Sequence, residues 1–185
     1  MAAHGKQEEL CVIVNEMNEV VGSATRSRTV SGRLLGRGAY CLVVNDQREL
    51  LVSARSLSKD VYPGLLDTVI SGVCQVGEEY LDTAIRELIE ELGLDESQKK
   101  ALLSKDTLST LGIFPYQDDY CHVFGCAFLY RHSGPIRLQE EEVDSAQWMP
   151  LSAVEDLLLR GAEDSRFTPV GKHILQTYID RIRDD

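Results

Sequence analysis

GVCQVGEEYLDTAIRELIEELGL, residues 72–94, contains the change of period on which the fold turns. Up to Gln75 the chain reads as extended: LLDTVISGVCQ (Leu65–Gln75) is rich in β-branched residues and alternates. From about Tyr80 the period becomes helical. Leu81, Ala84, Ile85, Leu88, Ile89 and Leu92 recur at three and four, and Gly93 takes the C′ position that favours glycine. The stretch therefore predicts strand, short loop and helix. Glu87, Glu90 and Glu91 share one side of that helix, opposite the apolar stripe. Like charges four apart cost roughly 0.2–0.5 kcal/mol per pair, and Glu90 and Glu91 sit where the helix dipole disfavours anions. A helix selected for stability alone would not carry them. A hard divalent cation reverses the sign of each of these terms. Oxygen-only donors suit Mg²⁺ or Mn²⁺, and Mg²⁺ commonly brings phosphate with it. The competing reading is a solvated acidic face.

Outward from this stretch, 185 residues with 43% hydrophobic and 26% charged predict a single domain over 1–185. A net charge of −11 argues against binding to a nucleic-acid polymer or a membrane surface by bulk charge. The opening MAAHGKQEEL lacks a charged-then-apolar leader, and no apolar run approaches a membrane span. Five scattered cysteines without a CxxC predict a reducing, cytoplasmic setting and no disulfide framework. The four histidines show no zinc spacing against them.

Residues 1–9 are expected to be flexible, and 10–35 to form an N-terminal hairpin (Leu10–Asn15 with Val20–Ala24) followed by a basic loop, TRSRTVSGRLLGRG. Ala39–Val44 is predicted to be a central strand and Leu50–Arg55 to pair back on it as a hairpin. A short helix is expected near Glu96–Leu103. TLSTLGIF, CHVFGCAFLYRH and DSAQWM read as strands. Ser152 with Glu155 suggests a capping box. Thr168–Pro169 opens a C-terminal helix over 169–184. The sum is an α/β (α+β) chain, a mixed sheet with helices on its faces.

The spacing in 72–94 is specific: Gly72, five residues, Glu78, seven residues, Arg86–Glu87, Leu88, one residue, Glu90–Glu91, one residue, Gly93, Leu94. Every position of the Nudix box is filled, and the stretch resembles the catalytic loop–helix of the Nudix family. The resemblance implies the Nudix fold, an α/β/α sandwich around a mixed β-sheet. It also implies Mg²⁺- or Mn²⁺-dependent hydrolysis of a diphosphate bond in a small phosphorylated molecule such as a nucleoside diphosphate derivative. Glu87, Glu90 and Glu91 match the metal-binding glutamates, with the Gly72 carbonyl as a further ligand. Glu87 alternatively serves as, or orients, the base for the attacking water. Glu78 matches the first box glutamate and is expected to pair with Arg86; Arg86 is read as a catalytic-site cation or, more simply, as the lock between loop and helix. Gly72 and Gly93 are backbone devices. A homodimer is common in the family, though no residue here specifies it.

The resemblance extends over roughly residues 10–160 to the branch containing type 1 isopentenyl-diphosphate isomerases and their hydrolase-like relatives. It is carried by VNEMNEVVGSATR, by AYCLVVNDQRELLVSARSLSKDVYPGLLDT and by EEEVDSAQWMPL. It implies that Arg26, Arg55 and Lys59 bind the substrate diphosphate, ahead of the Pro63–Gly64 turn. The isomerase chemistry does not carry over. Ser71 stands where that branch has its cysteine, Val73 where it has a histidine, and Arg37–Gly38 where another histidine opens the central strand. Its downstream glutamate aligns loosely with Asp119. An isomerase-like enzyme and a non-catalytic sensor of a phosphorylated ligand are the alternatives to hydrolysis.

Other residues carry weaker expectations. One of Glu140–Glu142 is a candidate late-loop metal ligand or base, against a solvated loop. Asp118 and Asp119 are candidate further ligands. Tyr116 and Tyr120 are candidate stacking platforms, whereas Trp148 and His122 are read as structural. Motifs for coenzyme A, ADP-ribose and mRNA-cap substrates are absent, which leaves the substrate open.

Overall fold

The computed structural model describes residues 8–59, 61–103, 107–139, 143–159 and 166–184. Nine strands and five helices occur among them, in the order β1 (Leu10–Val14), β2 (Val20–Thr25), α1 (Arg26–Ser31), β3 (Gly36–Val44), β4 (Glu49–Arg55), β5 (Leu66–Asp67), β6 (Val69–Val73), α2 (Tyr80–Leu92), α3 (Glu96–Leu102), β7 (Leu108–Gln117), β8 (His122–Arg131), β9 (Val143–Pro150), α4 (Leu151–Leu159) and α5 (Pro169–Asp184).

β3 is the hub of one mixed sheet. It runs parallel to β8 along its whole length and antiparallel to β6 from Gly38↔Val73 to Leu42↔Val69. Its residues alternate between two cores, as period-two geometry requires. Ala39, Cys41 and Val43 face the cluster closed by Ala84, Leu88 and Leu92 of α2. Tyr40, Leu42 and Val44 face the cluster closed by Val154 of α4 and Ile174, Leu175 and Ile179 of α5. Coverage on both faces explains why β3 is apolar nearly throughout. The α/β/α sandwich expected of the sequence is what forms.

Several local expectations change. Residues 26–31 of the basic loop are a helix: the Thr25 hydroxyl caps it by accepting from the Arg28 amide. β4 turns back from β3 but pairs with it only at Val44↔Leu50, and its full-length partner is β9. The predicted hairpin is therefore only a turn, because the flank of β3 beyond that turn is taken by β6. Leu65–Gln75 is two strands rather than one. It breaks at the buried Thr68, whose hydroxyl donates to the Gly171 carbonyl at 3.1 Å, and crosses from β4 to β3. α4 starts at Leu151, directly after β9, so Ser152 lies inside the first turn rather than capping it. Glu155 instead accepts from Arg183 of α5 at 2.9 Å. The Thr168 cap holds: its hydroxyl accepts from the Gly171 amide at 3.1 Å. No helix among the described residues is long and apolar enough to cross a membrane.

Candidate active site

The loop before α2 is built by one carboxylate. Glu78 accepts from the Gln75 amide at 3.0 Å, from the Thr83 hydroxyl at 2.8 Å, and from Arg86 through Nε at 2.7 Å and Nη2 at 3.0 Å. Burial opposes its charge, yet the Arg86 fork and these donors pull its carboxyl down to about 2. Arg86 also donates to the Val73 carbonyl at 3.2 Å, stitching β6 to the helix. Its remaining nitrogen reaches Glu87 at 2.5 Å and lies 3.5 Å from Glu90. Glu79 and Asp82 form the capping box that starts α2.

Two glycines admit close approaches. A Cβ on Gly72 would lie 1.8 Å from a Glu87 carboxylate oxygen, so the Glu87 head occupies the space over bare β6 backbone. Gly93 has φ 56° and lies under the Arg137 carbonyl, 2.4 Å from where a Cβ would be.

The three glutamates are not equivalent, which corrects the picture of one shared polar side. Glu91 is buried and lies with Tyr80, Thr83, Ala84, Leu88 and Leu92 on the inner face of α2. Glu87 is mostly buried, and the Glu90 side chain is 52% exposed. Leu81, expected in the apolar stripe, is 49% exposed. The inner face is therefore rotated from the predicted stripe by a residue and accommodates carboxylates. Burial raises the Glu91 carboxyl to about 7, and only partly does Lys59, 3.9 Å away, counter it. Burial likewise raises Glu87 against the pull of Arg86. Lys59 is pushed below its usual value by burial, with Glu91 opposing.

These carboxylates form one wall of a cleft of about 920 Å³. Arg55 and Lys59 line it, and so does Arg26, which pairs with Glu9 at 3.6 Å. Arg55 is tightly seated. Nε and Nη2 donate to the Val61 carbonyl at 3.2 and 2.9 Å, and Nη1 faces Asp67 at 3.4 Å. Asp67 is fully buried and accepts from the Thr168 hydroxyl at the start of α5. Burial raises the Asp67 carboxyl, with the Arg55 charge opposing.

Among the described residues, no three acidic, histidine or cysteine side chains converge tightly enough as they stand to grip an ion. Glu87 is turned to Arg86, Glu91 to Lys59, and Glu90 to solvent. The donor chemistry nonetheless suits a hard divalent ion. The oxygens come from little more than one helical turn, two of the three carboxylates are sheltered from water, and their present partners are cations in the same cleft.

The remaining expectations divide. Asp118 is not available as a ligand: its oxygens accept from the Tyr120 and Cys121 amides at 2.8 Å and from the Tyr62 and Tyr116 hydroxyls. Asp119 is exposed on the turn and is not part of the cleft wall. Tyr120 lines the cleft, 55% exposed and edge-on to Tyr62, whereas Tyr116 turns to His173. Trp148 packs against the core beneath α2. His122 sets Nδ1 3.1 Å from the Arg33 carbonyl. Ser71 and Val73 line the cleft; Cys74 is fully buried, its amide bound to the Arg37 carbonyl. Arg37 leaves this region to grip Asn18 and cover the Tyr80 ring. Glu140–Glu142 lie outside the described residues. Sequence reasoning missed Tyr62, Asp67 and Arg33. The one available signal was Asp67, a charge embedded in a β-rich run.

A family model described as the NUDIX domain matches residues 34–170. An uncharacterised Nudix hydrolase of Yersinia pestis is 34% identical over 169 residues, covering 91% of this chain and 85% of that one. Another, of Pseudomonas aeruginosa, is 33% identical over 172 residues, covering 93% and 94%. Among solved structures, a Deinococcus radiodurans protein superposes with a TM-score of 0.72 at 24% identity, over 92% of this chain and 99% of that one. The NUDIX domain of Shewanella oneidensis NrtR, solved with ADP ribose, superposes with a TM-score of 0.60 at 14% identity, over 86% and 99%. With a filled box mounted on the matching sandwich and these relatives spanning most of its length, the chain belongs to the Nudix hydrolase family.

Proposed function

We propose that this enzyme hydrolyses a diphosphate bond in a small molecule, with Mg²⁺ or Mn²⁺ held by Glu87, Glu90 and Glu91 and the Gly72 carbonyl. The observation that carries the reading is the pairing of walls. Two sheltered carboxylates, Glu87 and Glu91, share a cleft with two sheltered cations, Arg55 and Lys59. A diphosphate needs both: cations for its oxygens, and carboxylates to hold the ion that neutralises the rest. A bound divalent ion supplies charge at the phosphate oxygens and lowers the pKa of water in its shell.

The residues then divide the work. Arg55 and Lys59, with Arg26 farther along the cleft, hold the phosphates. Glu87 sits where Gly72 leaves room, steadied by Arg86; in the alternative where Glu90 and Glu91 hold the ion without it, Glu87 serves as, or orients, the base for the attacking water. Water adds to one phosphorus, the bond to the bridging oxygen breaks, and the leaving phosphate carries away the electron pair. Arg86 acts through Glu78 and Glu87 as the lock of the loop–helix. A nucleoside diphosphate derivative is the substrate class to try first, since a structure sharing the fold was solved with ADP ribose. We also infer one domain over the chain and a cytoplasmic setting. Membership of the branch that resembles type 1 isopentenyl-diphosphate isomerases and their hydrolase-like relatives is proposed from the sequence alone. Its alkene chemistry has less support: Ser71 puts a hydroxyl at the cleft, and the nearby thiol of Cys74 is buried.

The test is product release from nucleotide sugars, dinucleotides, nucleoside triphosphates, coenzyme A, FAD and isopentenyl diphosphate. Each is run with Mg²⁺, with chelator and with Glu91→Gln. Turnover abolished by both controls supports the proposal and names the substrate class. Isomerised isopentenyl diphosphate, or a ligand that stabilises the protein without turnover, overturns it.

A further inference from the structure

The backbone of Tyr62 is the least comfortable in the cleft. Its φ is 52°, a left-handed conformation that a bulky side chain rarely adopts and that is further disfavoured before proline, here Pro63. Such a residue persists where its surroundings over-determine it. The surroundings here are specific. The Tyr62 ring is buried and edge-on to Tyr120, with centroids 5.3 Å apart. Its hydroxyl donates to Asp118.

Asp118 is itself immobilised from three sides. One carboxylate oxygen takes the Tyr120 and Cys121 amides, closing the turn between β7 and β8. The other takes the Tyr116 hydroxyl from β7 at 2.7 Å as well as Tyr62. The Asp118 carbonyl accepts from Arg33 at 2.5 Å, beyond the end of α1. The neighbour of Tyr62 is Val61, and the Val61 carbonyl takes two of the five N–H bonds of Arg55. A third faces Asp67. Guanidinium geometry is a rigid fork, so fixing these two sides fixes where the other N–H bonds point.

We propose that Tyr62 is a positioning residue for the substrate phosphate: tied through its hydroxyl to Asp118, it holds the Val61 carbonyl that aims the Arg55 guanidinium into the cleft. This rests on the reading of Arg55 as a phosphate ligand. It assigns the β7–β8 turn, remote in sequence from the glutamate helix, to substrate recognition.

The experiment is a double-mutant cycle on binding of methylenediphosphonate, a non-hydrolysable diphosphate, in the presence of Mg²⁺. The variants are Tyr62→Phe, Arg55→Lys and the pair, with Tyr116→Phe as control and thermal unfolding measured on each. Arg55→Lys keeps the charge beside Asp67 but loses the fork, and is expected to weaken binding about ten-fold. Tyr62→Phe keeps the ring and loses one hydrogen bond, with an expected loss of about five-fold. The double variant should bind as Arg55→Lys alone does. Tyr116→Phe, which removes a second donor to the same oxygen and a contact with the Tyr62 hydroxyl but leaves the Tyr62–Asp118 bond in place, should bind as the unaltered protein does. If Arg55→Lys binds normally, the phosphate reading of Arg55 fails first. If Arg55→Lys is weak but Tyr62→Phe is normal, or if the two losses simply multiply, Tyr62 does not act through Arg55. Equal losses in Tyr62→Phe and Tyr116→Phe show that the seating of Asp118 matters and the hold of Tyr62 on the Val61 carbonyl does not, and also overturn the proposal. Should Tyr62→Phe not fold, Asp118→Asn takes its place in the cycle. It still accepts the two turn amides, but its amide nitrogen accepts from neither Tyr62 nor Tyr116, so its loss is read after subtracting that of Tyr116→Phe.

Discussion

The two walls of the cleft are built on opposite plans. The glutamate wall comes from one contiguous stretch, residues 72–94, and its parts are fastened to near neighbours: Glu78 to Arg86, Arg86 to Glu87, and Glu87 over Gly72. The facing wall is a mosaic. Arg26 starts α1, Arg55 ends β4, Lys59 and Tyr62 sit in the following loop, and Tyr120 sits in the β7–β8 turn. Its fastenings span the chain, from Tyr62 to Asp118 and from Asp67 to Thr168. On the proposed reading, the contrast separates chemistry from recognition. Holding an ion and a water requires several oxygens close together, and carboxylates spaced along little more than one helical turn are near enough to converge on one. Grasping a particular substrate requires an enclosing shape, which only distant segments brought together can form.

If that division is right, substitutions on the glutamate wall cost turnover. Glu91→Gln should lower turnover with Mg²⁺ by about 10³-fold, measured as product release, since it removes an ion ligand while preserving shape.

The same residue predicts a pH dependence in metal-free protein. Its carboxyl rises from 4.5 to about 7 on folding. Between those values the folded state binds more protons than the unfolded one, so stability falls as pH rises through the window and is level above it. The full change is at most about 3 kcal/mol. Chemical denaturation in chelator from pH 4.5 to 8 should show it, and Glu91→Gln should reduce the slope, leaving the share of Glu87 and Asp67, whose carboxyls burial also raises. Function and metal-free stability then move in opposite directions at one residue. A slope unchanged in Glu91→Gln breaks the claim that this wall is strained without its ion.

Gly72→Ala should cost about 10²-fold in turnover with little change in KM. Its methyl would occupy the place of the Glu87 head, and an ångström of misplacement carries that order of penalty. A larger effect on KM than on kcat would erase the distinction between the walls.

On the facing wall, Tyr120→Ala should raise KM about three-fold and leave kcat alone, because the ring is an exposed contact and no part of the reacting geometry. A fall in kcat would mean that recognition and chemistry are not divided between the walls.

The sequence was sufficient where a physical constraint is local. The period change near Tyr80, the glycine after Leu92 and the Thr168–Pro169 start each depend on residues a few positions apart, and each is present. The filled box carried the fold and the glutamate wall with it, because the 72–94 unit folds on itself. Tertiary contacts decided the rest. Whether β4 would stay on β3 depended on β6 competing for the same flank. The inner face of α2 included Glu91 rather than Leu81 because a cleft lies over that part of the sheet, and amphipathic period cannot distinguish a cleft from a core. Asp118 resembled a ligand by residue type and became an anchor because Tyr62, 56 positions away, reaches it. Carboxylates announce their chemistry but not their partners: spacing on a helix fixes which of them share a turn, and only the folded chain decides which are buried, which are paired and which face the substrate.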